Sequence, residues 1–168
     1  MKIYTLRQEQ WIARPIDKVF AFFSDARNLE AITPPWVGFK ILSMSSDATV
    51  EGTEICYQIR LHGIPIQWRT EIIKWDPPYS FVDVQRSGPY KLWEHTHRFE
   101  AHGDRTKMND EVRYALPFGV LGRVAHRLIV SADVRKIFEY RRGRIDEYFA
   151  TRGVATRGVA TCGGAGVS

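Results

Sequence analysis

The residues best suited to chemistry lie in one short stretch, Trp93-Glu94-His95-Thr96-His97-Arg98-Phe99. Side chains alternate along a β-strand, so His95 and His97 share one face with Trp93 and Phe99. An imidazole titrates near neutral pH and acts as a proton donor, a proton acceptor or a metal ligand. This face of the predicted strand therefore combines two groups for acid–base or metal chemistry with two aromatic side chains.

An aspartate is expected beside these histidines. The dipeptide Gly103-Asp104 predicts a two-residue hairpin turn, which places His97 opposite Asp110 on the next strand. The same register sets two further pairs, His95 with Val112 and Trp93 with Tyr114. A carboxylate that binds one ring nitrogen of a histidine orients the ring, so that the second nitrogen can act as a general base. The pair His97–Asp110 is therefore the candidate catalytic site.

Two other roles remain open for these residues. A buried histidine beside an aspartate is often only a structural pair, because buried polar groups need partners. His95, His97 and Asp110 can also form a two-histidine, one-carboxylate metal set, but no flanking ligand spacing reinforces it. We therefore predict no metal and no cofactor. The sequence also has no G-x-S-x-G nucleophile motif and no phosphate-binding loop.

Residues of two preceding strands are expected on the same face. A turn at Pro77-Pro78 sets three further pairs: Thr70 with Gln85, Ile72 with Asp83, and Trp68 with Ser87. The length of the turn around Gly88-Pro89 decides whether Gln85 or Arg86 shares the face of Trp93, and we choose Gln85. The resulting concave face has the aromatic walls and few polar groups of a small-molecule site: Trp68, Thr70, Ile72, Asp83, Gln85, Trp93, His95, His97, Asp110 and Tyr114.

Composition narrows the function classes. The chain has 168 residues, 44% apolar and 26% charged, which suits a globular protein. Its net charge is +5, but basic and acidic residues are mixed, so nucleic-acid binding is not expected. No apolar run is long enough for a signal peptide or a membrane helix, and the cysteines form no CxxC motif. We therefore predict a cytoplasmic protein without stable membrane insertion.

The last residues differ from the rest of the chain. The sequence ATRGV occurs twice between residues 150 and 159 and is followed by a Gly-rich end that contains Cys162. Such small residues cannot build a core, so we predict a disordered tail over residues 151–168. Residues 1–150 are then a single ligand-binding domain.

Turn residues divide this domain into regular elements. Seven segments rich in β-branched and aromatic residues are predicted strands, and the last six, which follow one another closely, predict an antiparallel meander: residues 2–13, 39–44, 52–62, 65–75, 80–87, 91–101 and 106–116. Two short helices are expected at residues 15–25 and 26–32, between the first and second strands.

A long helix is predicted from Gly119 to Phe149. Apolar residues three and four positions apart, beginning at Leu121, Val124 and Leu128, form a stripe that should cover the sheet. The opposite face should be solvated because it is charged: Arg127, Arg135, Lys136, Glu139 and Arg142. No exposed apolar patch is expected, so a pure partner-binding module is the least favoured function.

The segment from Ala13 to Asp25, ARPIDKVFAFFSD, resembles the first-helix motif of the SRPBCC (START-like, helix-grip) superfamily. Residues 28–36, 63–65, 68–72 and 88–99 resemble its bacterial ligand-binding, polyketide cyclase/dehydrase-like members. The resemblance covers about residues 2–149. It implies an α+β helix-grip fold, in which a curved antiparallel sheet of about seven strands wraps around a long C-terminal helix. It also implies two short helices after the first strand and a cavity between sheet and helix.

The resemblance implies a ligand class that the aromatic face matches. We expect the cavity to bind a hydrophobic or aromatic small molecule, lipid- or polyketide-like, without chemistry. The predicted ligand-binding residues are Trp36, Trp68, Thr70, Gln85, Trp93, His95, His97 and Tyr114. In the alternative, a cyclase/dehydrase-type enzyme, His97 held by Asp110 is the general base, and Tyr114 or Gln85 polarises a carbonyl. Trp36 is either a lid over the cavity or a staple between the second helix and the sheet.

Overall fold

A single antiparallel sheet organises the protein. The computed structural model describes residues 1–151, apart from the side chain of Ala125, so the predicted tail and Cys162 lie outside the described residues. The strands are β1 (Tyr4–Ile12), β2 (Lys40–Met44), β3 (Glu54–Leu61), β4 (Ile64–Asp76), β5 (Ser80–Ser87), β6 (Leu92–His102) and β7 (Arg105–Ala115). Their order in the sheet is β1-β7-β6-β5-β4-β3-β2. The seven predicted strands and their meander are confirmed.

The helices lie where the sequence predicts them. After β1 come α1 (Ile16–Phe23) and α2 (Leu29–Ile32), with single 3₁₀ turns at Ala26–Asn28 and Pro35–Val37. After β7 come α3 (Gly119–Ala125), a π-helical segment (His126–Val130) and α4 (Ser131–Thr151). The open sheet curves around this C-terminal helix, which is the expected helix-grip arrangement. None of the helices within residues 1–151 is long and apolar enough to cross a bilayer.

The main core lies where α1 packs between the sheet and the end of α4. Pro15 precedes α1 with its φ near the helical value, and Asp17 lies in the first turn, where a negative charge stabilises a helix. Phe20 and Phe23 of this helix pack against Phe99 of β6. This part of the space between sheet and helix is therefore filled with aromatic rings.

The predicted apolar stripe is wrong for the first part of the C-terminal helix. Leu121 and Leu128 are 76% and 72% exposed, whereas Val134 and Phe138 of α4 are buried. The π-helical segment between these parts has a wider turn, so residues before it no longer keep the helical phase of α4. The consequence is an exposed apolar patch that the sequence did not predict: Phe118, Val120, Leu121, Val124, Leu128 and Ile129.

The strand register confirms most of the predicted pairs. His97 faces Asp110, His95 faces Val112 and Trp93 faces Tyr114 across β6 and β7. Thr70 faces Gln85 and Ile72 faces Asp83 across β4 and β5.

The predicted pair Trp68–Ser87 is wrong. Arg69 faces Ser87 instead, because a β-bulge lies between Arg69 and Thr70 and shifts the register by one residue. Arg86 lies on the outer face of the sheet, where its Nε donates to Glu71 over 2.5 Å. Gln85, not Arg86, therefore belongs to the concave face.

Candidate functional site

A chamber of about 170 Å³ lies between the concave face of the sheet and α4. Strands β3 to β6 supply one side of it, and α4 supplies the other. Its wall is dominated by large rings: Tyr57, Trp68, Phe81, Tyr90, Trp93 and Phe138. Among the residues predicted to bind a ligand, Trp68, Thr70, Trp93, His95 and His97 line this chamber.

One part of the wall is an aromatic group centred on Trp68. The ring of Trp93 packs edge-on against it at 5.2 Å between centroids, and the ring of Tyr57 stacks on it at 5.8 Å. The indole Nε1 of Trp68 is buried and has no hydrogen-bond partner among the described residues. This N–H is a free donor in an apolar setting.

The second part of the wall is a histidine–aspartate cluster, formed by Asp83, His95, His97 and Asp110. Asp110 lies on β7 beneath both rings, with Oδ1 3.2 Å from His95 Nε2 and 2.7 Å from His97 Nδ1. The first contact is a hydrogen bond, whereas the second lacks the alignment of one. Asp83 lies on β5, with Oδ2 3.7 Å from His95 Nδ1 and 3.6 Å from His97 Nε2. Each ring therefore lies between two carboxylates.

Aromatic side chains hold these rings in place. Phe81 stacks on His97 at 4.2 Å between centroids, and Phe138 of α4 packs edge-on against His95 at 5.5 Å.

Thr70 Oγ1 lies 3.1 Å from Asp83 Oδ1 and 2.9 Å from the carbonyl oxygen of Val84. Since a hydroxyl has one proton, Thr70 donates to one of these oxygens at a time.

Burial and neighbouring charges shift the pKa values of the two histidines in opposite directions. Burial and the neighbouring His97 lower the pKa of His95 below its ordinary value, which outweighs the bond to Asp110. Burial alone would also lower the pKa of His97, but the charges of Asp110 and Asp83 raise it above its ordinary value. Burial would raise the pKa of Asp110, yet His97 and His95 hold it far below its usual range. The pKa values of the two imidazoles therefore move in opposite directions, although their ring centroids are only 3.8 Å apart.

Sequence reasoning missed Arg141, which also lines the chamber. Its Nε and Nη2 are buried without a hydrogen-bond partner in the described part of the chain, and the guanidinium lies 5.3 Å from the ring centre of Phe138. Arg141 lies at helical spacing from three buried residues of α4, Val134, Phe138 and Ile145. That spacing is the signal in the sequence, because it places a cation within an apolar stripe.

Three of the predicted ligand-binding residues, and the predicted catalytic Asp110, do not line the chamber. Gln85 donates from Nε2 to the carbonyl oxygen of Tyr90 over 2.7 Å and so closes the turn between β5 and β6. The hydroxyl of Tyr114 lies 3.0 Å from His126 Nε2. Trp36 is half-exposed and packs edge-on against Tyr140 of α4.

The cluster also contains potential metal ligands. Asp83, His95 and His97 each offer one ligand atom, and these atoms lie within 4.8 Å of one another. The sequence suggested Asp110 as the carboxylate of such a set. In the structure Asp110 faces the opposite nitrogens of the two rings, and Asp83 is the carboxylate on the chamber side.

A curved seven-stranded sheet that encloses a ligand chamber against its C-terminal helix defines a START-like, helix-grip domain. A family model described as polyketide cyclase / dehydrase and lipid transport matches residues 12–137. The chain belongs to this family. No curated protein matches the sequence.

Solved structures share the fold at low sequence identity. The Zhui aromatase/cyclase from Streptomyces sp. R1128 has a TM-score of 0.75 at 17% identity and covers 94% of this chain and 100% of its own. A norcoclaurine synthase mutant from Thalictrum flavum has a TM-score of 0.68 at 14% identity, covering 90% and 97%. A START superfamily protein from Mycobacterium smegmatis has a TM-score of 0.62 at 13% identity, covering 86% and 98%.

Proposed function

We propose that the chamber binds a compact, hydrophobic or aromatic small molecule that carries an oxygen acceptor. The observation that carries this proposal is a set of buried donors without partners, Nε and Nη2 of Arg141 and the indole N–H of Trp68. A buried donor without a partner costs about 1–3 kcal/mol, and more if it is charged. A ligand oxygen that accepts from these donors removes that cost. The rings of the ligand also bury apolar surface of the chamber wall that water would otherwise contact.

The size of the chamber favours an aromatic ligand over an extended acyl chain. A cavity of about 150 Å³ holds benzene in an engineered protein. The chamber here, at about 170 Å³, suits one or two fused rings without rearrangement. Of the two predicted ligand types, the polyketide-like aromatic compound is therefore favoured over the lipid.

A pair of naphthalene derivatives tests this proposal. We expect 2-naphthoate to quench the fluorescence of Trp68 and Trp93 saturably, and to bind more tightly than 2-methylnaphthalene, which has the same shape without the oxygens. A charge-assisted hydrogen bond is worth about 10- to 100-fold in affinity. In Arg141→Met, which keeps the length of the side chain, that preference should disappear. Absence of saturable binding, or an unchanged preference in Arg141→Met, would overturn the proposal.

A second candidate function is an enzyme of the cyclase/dehydrase kind. The specific observation in its favour is the two imidazoles of His95 and His97 side by side in the chamber wall, 3.8 Å apart between ring centroids, with Asp110 beneath both. In this role one of the two imidazoles accepts a proton from an acidic C–H and the other gives one to a carbonyl or leaving hydroxyl, while the hydrogen bond to Asp110 orients His95. Such acid–base groups contribute about 10² to 10⁴ in rate.

Testing this second function needs a candidate substrate, and native mass spectrometry of the freshly purified protein can identify one. Any compound that co-purifies is identified after denaturing extraction and returned to the protein. Turnover that falls at least about 100-fold in His97→Gln, with binding retained, would establish the enzyme. Unchanged turnover in that variant would exclude the role of His97.

A further inference from the structure

We infer that Asp83, His95 and His97 form a binding site for a divalent first-row transition-metal ion in the chamber wall. The family match and the proposed ligand binding do not require such an ion. The inference rests on the positions of three side chains, on what holds them, and on their charge.

The distances between the ligand atoms suit a small cation. Asp83 Oδ2 lies 3.7 Å from His95 Nδ1 and 3.6 Å from His97 Nε2. At metal–ligand bonds of about 2.1 Å, the corners of a tetrahedron are about 3.4 Å apart. The two distances from Asp83 are therefore within a few tenths of an ångström of that edge, and all three ligand atoms lie within 4.8 Å of one another. Two histidines and one carboxylate are a set that iron and zinc sites use.

Asp110 supplies the outer support that metal-binding histidines have. A ligating histidine almost always donates its other ring N–H to a carboxylate, a carbonyl or a water. His95 Nε2 makes this bond to Asp110 Oδ1, and His97 Nδ1 lies 2.7 Å from the same oxygen. A proton on His95 Nε2 leaves the lone pair of Nδ1 facing Asp83. The hydrogen bond to Asp110 thus fixes the ring of His95 with its free nitrogen toward Asp83, whereas the ring of His97 is held by its stack on Phe81.

The charge of the cluster also favours a cation. Asp83 and Asp110 are two carboxylates in an apolar wall, and within residues 1–151 only histidines form ion pairs with them. The two carboxylates together carry two negative charges, and no lysine or arginine in this part of the chain forms an ion pair with either of them. Buried charges are costly unless they are paired or bind a metal. A divalent ion neutralises the cluster.

The site leaves room for a further ligand. Three protein ligands fill three positions of a tetrahedral ion, and the fourth is open in catalytic zinc sites. The side chain of Asp83 is 17% exposed and lies in the chamber wall with both histidines. The open position therefore faces the chamber, where an oxygen of the bound molecule can occupy it. This last step rests on the proposed function, whereas metal binding itself does not.

Titration of the metal-free protein tests the inference. The protein, in a Cys162→Ser background that removes a competing thiol, is stripped with a chelator and titrated with Zn²⁺ by calorimetry and with Co²⁺ by visible absorption. We expect one ion per chain and Co²⁺ bands of a low-coordinate nitrogen and oxygen site. Asp83→Asn and His95→Gln should each weaken binding by more than the 10- to 100-fold typical of losing an outer partner.

His62→Gln is the matched control, because His62 also contacts an aspartate, Asp133, at 2.7 Å but on the surface. It should keep the affinity of the parent. Near-UV circular dichroism of each metal-free variant verifies folding. The Co²⁺ spectrum of the parent protein tests metal binding even if a variant fails to fold.

Absence of saturable one-to-one uptake by the parent would overturn the inference. So would parental affinity in folded Asp83→Asn and His95→Gln, or loss of binding in His62→Gln. Binding of 2-naphthoate to the metal-free protein is measured in parallel. If naphthoate binds and the metal does not, only this inference fails; if the metal binds and naphthoate does not, the proposed function fails.

Discussion

Two histidine–aspartate contacts of equal length lie in opposite environments. His97 and Asp110 are 2.7 Å apart inside the fold, with side chains 5% and 8% exposed. His62 and Asp133 are also 2.7 Å apart, but their side chains are 64% and 39% exposed. Water competes for the surface pair, so its net contribution is about 0–1 kcal/mol. The buried pair has lost its water, so each partner depends on the other for charge compensation.

The comparison shows that contact distance alone does not set the properties of a histidine–aspartate pair, because burial and the charges packed around the pair also act on it. Loss of solvent opposes ionisation, while close carboxylates and imidazoles favour it, and together they move the pKa values of Asp110 and His97 in opposite directions. The same two residue types on the surface form a local link between the β3–β4 turn and α4.

The largest expected effect comes from breaking the buried pair. Asp110→Asn keeps the shape of the side chain but leaves His97 with Asp83 as its remaining carboxylate. Removal of one partner of a buried ion pair costs about 3–5 kcal/mol, so the free energy of unfolding in guanidinium should fall by that amount. Asp133→Asn is the control and should lose less than about 1 kcal/mol. Equal losses in the two variants would refute the role given to burial.

Opening the wall around the cluster should have the next largest effect. Phe81→Ala removes the ring stacked on His97 and should lower the free energy of unfolding by about 3 kcal/mol. This value is at the low end for such changes because one side of the ring faces the chamber. Tyr79→Ala, at an exposed ring just before β5, should cost less than about 0.5 kcal/mol. Urea denaturation curves of both variants give the comparison.

Trp36 lies near the surface pair and should have a smaller effect. It packs against Tyr140, with Lys136 5.0 Å from its ring centre, and it does not line the chamber. Trp36→Ala should therefore lower stability by about 1 kcal/mol and leave the association rate of 2-naphthoate unchanged in stopped-flow fluorescence. A changed rate with unchanged stability would identify Trp36 as a lid instead of a staple.

The smallest effect is expected for the surface pair itself. A double-mutant cycle of His62→Gln and Asp133→Asn should give a coupling energy of about 0.2–1 kcal/mol. The coupling should shrink in about 1 M salt, because ions screen charges that water reaches. A coupling that is large and insensitive to salt would mean that exposure does not weaken this pair.

Local patterns determined much of this protein. Residue alternation and turn dipeptides act over a few positions, so the seven strands follow from the sequence alone. The turn at Gly103-Asp104 likewise sets His97 opposite Asp110, and Trp68 and Trp93 are placed on the concave face. Apolar spacing likewise predicted the long C-terminal helix, and the family resemblance added that the sheet curves around it.

Tertiary structure decided what local patterns do not encode. The bulge after Arg69 shifts the pairing of β4 and β5 by one residue, and the π-helical segment before α4 rotates the helix face by a fraction of a turn. No residue type in the sequence marks either of them. Whether Asp83 approaches both histidine rings, and whether Arg141 loses its water, depends on how strands and α4 close over the chamber. Burial of a charge is a property of distant elements packed together, so only the folded chain reveals it.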